Sequence, residues 1–204
     1  MKNDGLGKII IAGGKSTRFG EDKLSYQLGG RAILERVVSG LSFIDSDSII
    51  VTSEERGNIS EGLGRCKTVF DFIPQGGPLA SIYTGLTFTE HEYSFVCAGD
   101  MPFVSRDVIS YMAGEIKDND IVIPEIREGM QTLHAIYSRK CYPILNRALQ
   151  MGSGRMRYFF SQLKVRRVSE DELRGVDPEL KSLFDIDSLN DLKLANQILD
   201  GEHK

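Results

Sequence analysis

The sequence predicts an α/β protein, a three-layer α/β/α sandwich built on a mainly parallel sheet. Three observations carry that expectation. Short apolar segments alternate with amphipathic ones at helical spacing through most of the chain. The apolar segments end abruptly at glycine or aspartate, as at Gly13, Asp71 and Gly99-Asp100. The alternation itself is the order that a parallel sheet with crossover helices requires, with one reversed strand expected in the second half.

Composition bounds the answer further. A chain of 204 residues can bury a substantial core, and without repeats or a linker rich in Pro, Gly or Ser it reads as a single domain over 1–204. Hydrophobic residues make up 41% and charged residues 26%, the balance of a soluble globular protein. A net charge of −4 argues against nucleic acid as a partner, so the basic residues must act locally. Neither a membrane span nor a hydrophobic signal core is evident, and the expected location is cytoplasmic. Cys66, Cys97 and Cys141 lack paired spacing and fit buried or half-buried thiols in a reducing compartment.

The first strand is the run Ile9-Ile10-Ile11, buried on both faces. Gln27 to Arg31 forms a turn, and Ile33, Leu34, Val37, Val38 and Leu41 place a helix over 32–43. Strands follow at Ser48 to Thr52 and Lys67 to Phe70, separated by a polar stretch, Glu54 to Gly64, expected to hold a short helix and a loop. Pro78 opens a helix that runs to Phe88, and Tyr93 to Ala98 is the fourth strand. Ser105 caps a helix from Arg106 to about Ile116. Ile121 to Pro124 and Thr132 to Tyr137 are strands around a turn at Glu128-Gly129. Helices over 142–151 and 155–163, a strand at Val165 to Val168 and a closing helix from Ser188 to Asp200, ended by Gly201, complete the chain.

Chemistry collects where strands end. After Ile11-Ala12 comes Gly13-Gly14-Lys15-Ser16-Thr17-Arg18-Phe19-Gly20-Glu21-Asp22-Lys23. The glycines permit a tight turn and close approach of backbone N–H groups to an anion, and Arg18 and Lys23 add a planar fork and a movable point charge. The combination reads as a triphosphate clamp, although no P-loop or dinucleotide spacing is present. Asp100, at the end of an apolar strand, can hold Mg²⁺ while phosphates complete the cation's oxygen shell, or it can be a turn residue. Asp71, after the third strand, is a second candidate or a plain loop aspartate. In such a sheet these segments meet outside the carboxyl ends of the strands.

Ala-Gly-Gly-x-Ser-x-Arg-Phe-Gly-x-Asp-Lys resembles the signature loop of nucleotidyltransferases with a Rossmann-like fold, most closely the molybdenum cofactor guanylyltransferases. Gly99-Asp100-Met101-Pro102-Phe103, the Gly-Pro-Leu-Ala stretch after Asp71, Gln131 to Tyr137 and Phe184 to Leu192 resemble further segments of that family. The resemblance implies a nucleotide-diphospho-sugar transferase-like fold and transfer of GMP from GTP to molybdopterin carrying molybdenum, with release of pyrophosphate. It implies catalytic roles for Asp100, Lys23 and Arg18, with Asp100 as the Mg²⁺ ligand. Nucleotide binding falls to Ile11, Ala12, Gly13, Gly14, Lys23, Asp71 and Asp100, and transient contact with molybdopterin-carrying and molybdoenzyme proteins is expected.

The sequence departs from the family at four places. Gly99 replaces a Cys, Ser81 a Gly, Thr52-Ser53-Glu54 stands where an Asn is usual, and Asp185 and Asp187 replace asparagines. Guanine selection is therefore the less secure part of the reading. Transfer of CMP or UMP to another phosphate, or a non-catalytic adaptor that binds nucleotide and molybdopterin, are the alternatives. His134 either approaches the acceptor or packs the sheet, and Arg155 and Arg157 could hold the acceptor's phosphate. Arg166-Arg167 reads as a solvated edge, Glu170 to Glu172 as a helix start, and Ser188 with Asp191 as a capping pair.

Overall fold

A computed structural model of the chain describes residues 5–13, 22–73, 76–151 and 155–202. Its main sheet runs in the order β10-β7-β9-β6-β1-β4-β5. The strands are β1 (Leu6–Ile11), β4 (Ser48–Thr52), β5 (Cys66–Phe70), β6 (Tyr93–Ala98), β7 (Ile121–Ile126), β9 (His134–Ser138) and β10 (Val165–Ser169), with β8 (Gly129–Met130) paired to β7. Only β9 runs against its neighbours in that order, pairing antiparallel with β6 and β7, as the sequence led one to expect. β1 lies at the centre, parallel to β4 and β6, with Ile9 opposite both Ile49 and Val96.

Side chains of β1 alternate between two cores. Leu6 and Ile10 join α1 (Ile33–Gly40), α3 (Arg106–Gly114), α6 (Glu170–Arg174) and α7 (Leu189–Glu202) on one face. Ile9 and Ile11 join α2 (Pro78–Phe88), α4 (Cys141–Gln150) and α5 (Arg155–Ser161) on the other. Period-two alternation in a strand covered on both sides makes both sets apolar, which is why β1 reads as a continuous hydrophobic run. The sandwich therefore has three layers.

The elements depart from the sequence reading in a few places. β1 begins earlier, at Leu6, and includes Lys8, a buried residue whose ammonium donates to Ile44 O at 3.1 Å. The turn after Lys23 is a miniature hairpin, β2 (Gln27–Leu28) with β3 (Arg31–Ala32), and both linking glycines take the positive φ that such a tight loop demands. Gly201 does not stop α7, which continues to Glu202; the glycine keeps ordinary dihedrals instead of the left-handed cap conformation. Arg166 is not a solvated edge. Its guanidinium meets Glu115 at 2.8 Å and also Glu172, to which Tyr111 donates at 3.2 Å, so α3, β10 and α6 are joined through one cation. Arg167 does reach outward, to Glu125 at 3.2 Å.

All three cysteines are free, Cys97 and Cys141 are buried, and burial raises each thiol's pKa. Inert, protonated thiols of this kind behave as small apolar side chains.

Candidate active site

The strand order puts the chemistry-bearing segments on one rim. β1 is followed by Ala12 and Gly13, β4 by Ser53 to Arg56, β5 by Asp71 and β6 by Gly99 and Asp100. All four strands are parallel, so all four carboxyl ends face the same way. The chain turns from β1 toward β4 and β5 and then returns to β6 on the other side of β1, a change of direction that opens a crevice there.

Lys23 reaches Asp100, just past the carboxyl end of β6. Its ammonium lies 2.5 Å from Asp100 Oδ2 and 3.0 Å from Asp187 Oδ1, and donates to Ile186 O at 3.1 Å. Burial, the largest single influence, works to lower the pKa of Lys23, but hydrogen bonds and charge from Asp100 and Asp187 outweigh it and the net shift is upward. Lys23 is thus a fixed cation, suited to neutralising anionic oxygens and unsuited to acting as a base. Asp185 sits one residue before Ile186, and burial together with the Asp187 and Asp100 charges raises its pKa.

The segment that supplies Asp187 is held by backbone and ring contacts. Ile186 N donates to Asp100 O at 3.0 Å, and the Phe103 and Phe184 rings meet edge to face at 5.9 Å. Two stretches about 85 residues apart in sequence therefore form one structural unit. Ser188 and Asp191 close it as a capping pair, with Asp191 N donating to Ser188 Oγ at 3.2 Å and Ser188 Oγ donating to Asp191 Oδ2 at 2.8 Å.

Asp71 is elsewhere on the rim. Three strand spacings separate β5 from β6, so it lies roughly 14 Å from Asp100 along the sheet. Its carboxylate accepts from Ser81 Oγ at 2.5 Å, Thr84 Oγ1 at 3.0 Å and Ile73 N at 3.1 Å. Ser81, the residue that stands where the family has glycine, is spent on orienting this aspartate. A β-carbon at Gly13 would lie 3.9 Å from Ser81 Oγ, so the two segments are neighbours. At Gly99 a β-carbon would find ordinary contacts with Ile11 O, Leu24 Cδ1 and Ala12 Cα, the nearest at 3.4 Å. Glycine there leaves room beside Leu24 without altering the reach of Asp100.

Ile11 and Ala12 extend the ladder instead of presenting side chains. Gly99 N donates to Ile11 O at 2.8 Å, and Ala12 N donates to Val51 O at 2.7 Å. Gly14 and Arg18 lie outside the described residues, as do the side chains of Arg155 and Arg157. His134 lies opposite Cys97, close to the carboxyl end of β6. Its ring is fully buried, edge-on to Phe95 at 5.0 Å, and neither nitrogen has a partner among the described residues. Burial lowers its pKa to about 4, against the weak opposing pull of Asp177, so it packs the sheet as a neutral ring.

Sequence reasoning missed Arg56. It lies in a single helical turn, Glu54–Arg56, directly after β4, and its side chain is only 14% exposed. The guanidinium donates to Ala12 O and meets Asp22 Oδ1 at 3.2 Å. The available signal was a basic residue four positions past a buried strand, but the polar, glycine-punctuated stretch from Glu54 to Gly64 read as a short helix and a loop. Thr52, where an amide was expected nearby, is buried with its hydroxyl toward Ala12 O at 3.4 Å.

The chain is similar to known proteins over most of its length. Residues 8–168 match the MobA-like NTP transferase domain. The chain is 36% identical over 194 residues to the molybdenum cofactor guanylyltransferase of Desulfosudis oleivorans, spanning 94% of this chain and 95% of that protein. The crystal structure of molybdopterin-guanine dinucleotide biosynthesis protein A from Archaeoglobus fulgidus superposes with a TM-score of 0.81 at 26% identity, over 96% of this chain and 100% of the other. The 2-C-methyl-D-erythritol 4-phosphate cytidylyltransferase of Thermus thermophilus shares the fold, with a TM-score of 0.68 at 17% identity over 96% of this chain and 99% of its own.

Proposed function

The chain belongs to the MobA-like NTP transferase family, and on that premise we propose how its rim divides the work of guanylyl transfer. The reaction joins GMP from GTP to the terminal phosphate of molybdopterin carrying molybdenum. An oxygen of the acceptor phosphate forms a bond to the α-phosphorus, the bond from that phosphorus to the bridging oxygen breaks, and pyrophosphate leaves with the electron pair. The nucleophile is already anionic, so positioning and electrostatic stabilisation can supply the acceleration without a general base.

The observation that carries this reading is the position of Lys23, a permanent cation at the strand ends whose charge is met by Asp100 and Asp187. A triphosphate offers that ammonium a competing set of oxygens, and Arg18 would add a second cation on the same loop. Gly13 and Gly14 let main-chain N–H groups approach the phosphates, while Asp71, held by Ser81 and Thr84, borders the nucleoside end.

The donor set fits Mg²⁺. Asp100 offers a hard carboxylate oxygen, with the Asp187 carboxylate beside it. Among the described residues no group of three or more His, Cys, Asp or Glu side chains forms a complete cage. Magnesium is characteristically held by one or two carboxylates with phosphates and water completing its shell. Asp100 would hold it, and the bound ion would add positive charge to the phosphate oxygens.

Glu54, exposed at the start of the turn after β4, is a candidate acceptor for the N–H edge of guanine. We assign delivery of the product to transient contact with molybdoenzymes, and receipt of the acceptor to contact with molybdopterin-carrying proteins. The proposed setting is the cytoplasm; no helix among the described residues is long and apolar enough to cross a membrane.

The test is pyrophosphate release with GTP, CTP or UTP in the presence of molybdopterin acceptor and Mg²⁺. Turnover is expected with GTP, and Asp100→Ala is expected to lower kcat by about a hundredfold or more while the far-UV spectrum and melting temperature stay close to wild type. Equal turnover with CTP would overturn the base assignment, and wild-type kcat in the variant would remove Asp100 from the reaction.

A further inference from the structure

We propose that Arg56 is the positioning residue of the nucleotide site, a clasp that sets both ends of the glycine-rich loop. One arm of its guanidinium donates to the carbonyl of Ala12, the residue that leads into the loop, and another meets the carboxylate of Asp22, the residue that leads out of it. The arginine itself comes from the separate turn after β4. A mostly desolvated guanidinium that joins a carbonyl and a carboxylate so far apart in sequence fixes their separation, because its donors are coplanar and rigidly spaced.

Each contact aims a group used by the proposed reaction. A trans peptide directs its C=O and the following N–H in opposite senses, and the described residues contain no cis peptide bond. Ala12 N and Ala12 O both face β4, toward Val51 O and toward Thr52 Oγ1 with Arg56. Ile11 O faces β6, where Gly99 N meets it. The Gly13 N–H therefore faces β6 as well, toward the side that carries Asp100. Holding the Ala12 carbonyl with Arg56 holds that N–H as an anion donor.

At the other end, Asp22 Oδ1 also accepts from Leu24 N at 3.1 Å, and Asp22 O accepts from Ser25 N at 3.1 Å and Ser25 Oγ at 2.8 Å. These bonds shape the single turn Lys23–Ser25, while Leu24 is buried beside Gly99. Arg56 thus braces the turn from which Lys23 reaches Asp100. It acts through Ala12 and Asp22.

This inference assumes that the loop binds the triphosphate, and the experiment separates the two claims. Binding of GTP is measured by calorimetry, and steady-state kinetics are run, for wild type, Arg56→Ala, Arg56→Lys, Asp22→Asn and the Arg56→Ala/Asp22→Asn double variant. Arg56→Ala should weaken GTP binding by about tenfold to a hundredfold, the scale of lost charge-assisted hydrogen bonds. Arg56→Lys, which can reach one partner at a time, should recover only part of the affinity. The double variant should be scarcely weaker than Arg56→Ala alone, since the pair acts as a unit. Added guanidinium ion at millimolar concentration should restore part of the binding of Arg56→Ala.

Wild-type protein that fails to bind GTP would sink the nucleotide reading itself. Wild-type binding with unchanged affinity in Arg56→Ala, or strictly additive losses in the double variant, would overturn the clasp and leave that reading standing. If Arg56→Ala does not fold, the Arg56→Lys and Asp22→Asn variants decide, and wild-type affinity in both would overturn it.

Discussion

Two ionisable residues, half-buried Lys23 and fully buried His134, show how surroundings assign a role. Lys23 meets two carboxylates and keeps its charge, whereas His134 is buried against Phe95 and loses it. The histidine has a consequence for stability. An unfolded chain protonates it near its ordinary value of 6.5, but the folded protein resists protonation down to about 4. The folded pKa is depressed, so the contribution is full above about pH 6.5 and is lost as pH falls through the window to about 4. By linkage it amounts to about 3 kcal/mol. Denaturant unfolding of wild type and His134→Phe across that range should show wild type losing stability more steeply as the solution is acidified. Parallel curves would mean that the folded protein tolerates the charged ring. Glu172, held down to about 2 by its hydrogen bonds with Arg166 and Ser169, titrates below that window and is too exposed to contribute comparably.

Elements, in turn, are placed by close approach as much as by burial. α2 lies across β1 and β4, and its Gly85 is where the two layers touch. A β-carbon at Gly85 would sit 2.4 Å from Ile9 Cγ2 and 3.4 Å from Val51 Cγ2. Ile9 is β-branched and sits in the central strand, so it cannot rotate away cheaply. Gly85→Ala should therefore destabilise by about 1–3 kcal/mol through overpacking, although alanine is the better helix former. The urea midpoint should fall with little change in slope. An unchanged or raised midpoint would show that the layers can part freely. The same helix carries Ser81 and Thr84, which orient Asp71, so the spacing of α2 from the sheet reaches the rim.

At the scale of the whole molecule, the candidate site draws on residues outside the span that the family match covers. That match ends at residue 168, but Ile186 and Asp187 supply contacts to Lys23 and Asp100. The same terminal region also finishes a core, because Ile186, Ala195 and Leu199 are buried with α1 and α3 residues. A chain truncated after Leu183 should lose both at once. Its thermal melt is expected to be broad or sharply lowered and its GTP binding lost. A truncated protein that melts like wild type would show that the terminal region is an appendage.

Much of this could be read from residues alone. Alternating periods fixed the sandwich, the apolar run before Gly13 located the central strand, and carboxylates at strand ends marked the rim, because each depends on a neighbour one to four residues away. The family motifs likewise pointed to Lys23 and Asp100. Arg56 escaped because the meaning of a guanidinium depends on partners 34 and 44 residues distant, Asp22 and Ala12, which no local pattern connects. His134 was ambiguous for the same reason, since a ring's protonation follows from the wall it faces. The sequence by itself determined the layers, the order of elements and the family to which the chain belongs. Only the tertiary structure decided which charges neutralise one another and which polar groups are buried, because electrostatic energies depend on distance and solvent exclusion through space, and chain order records neither.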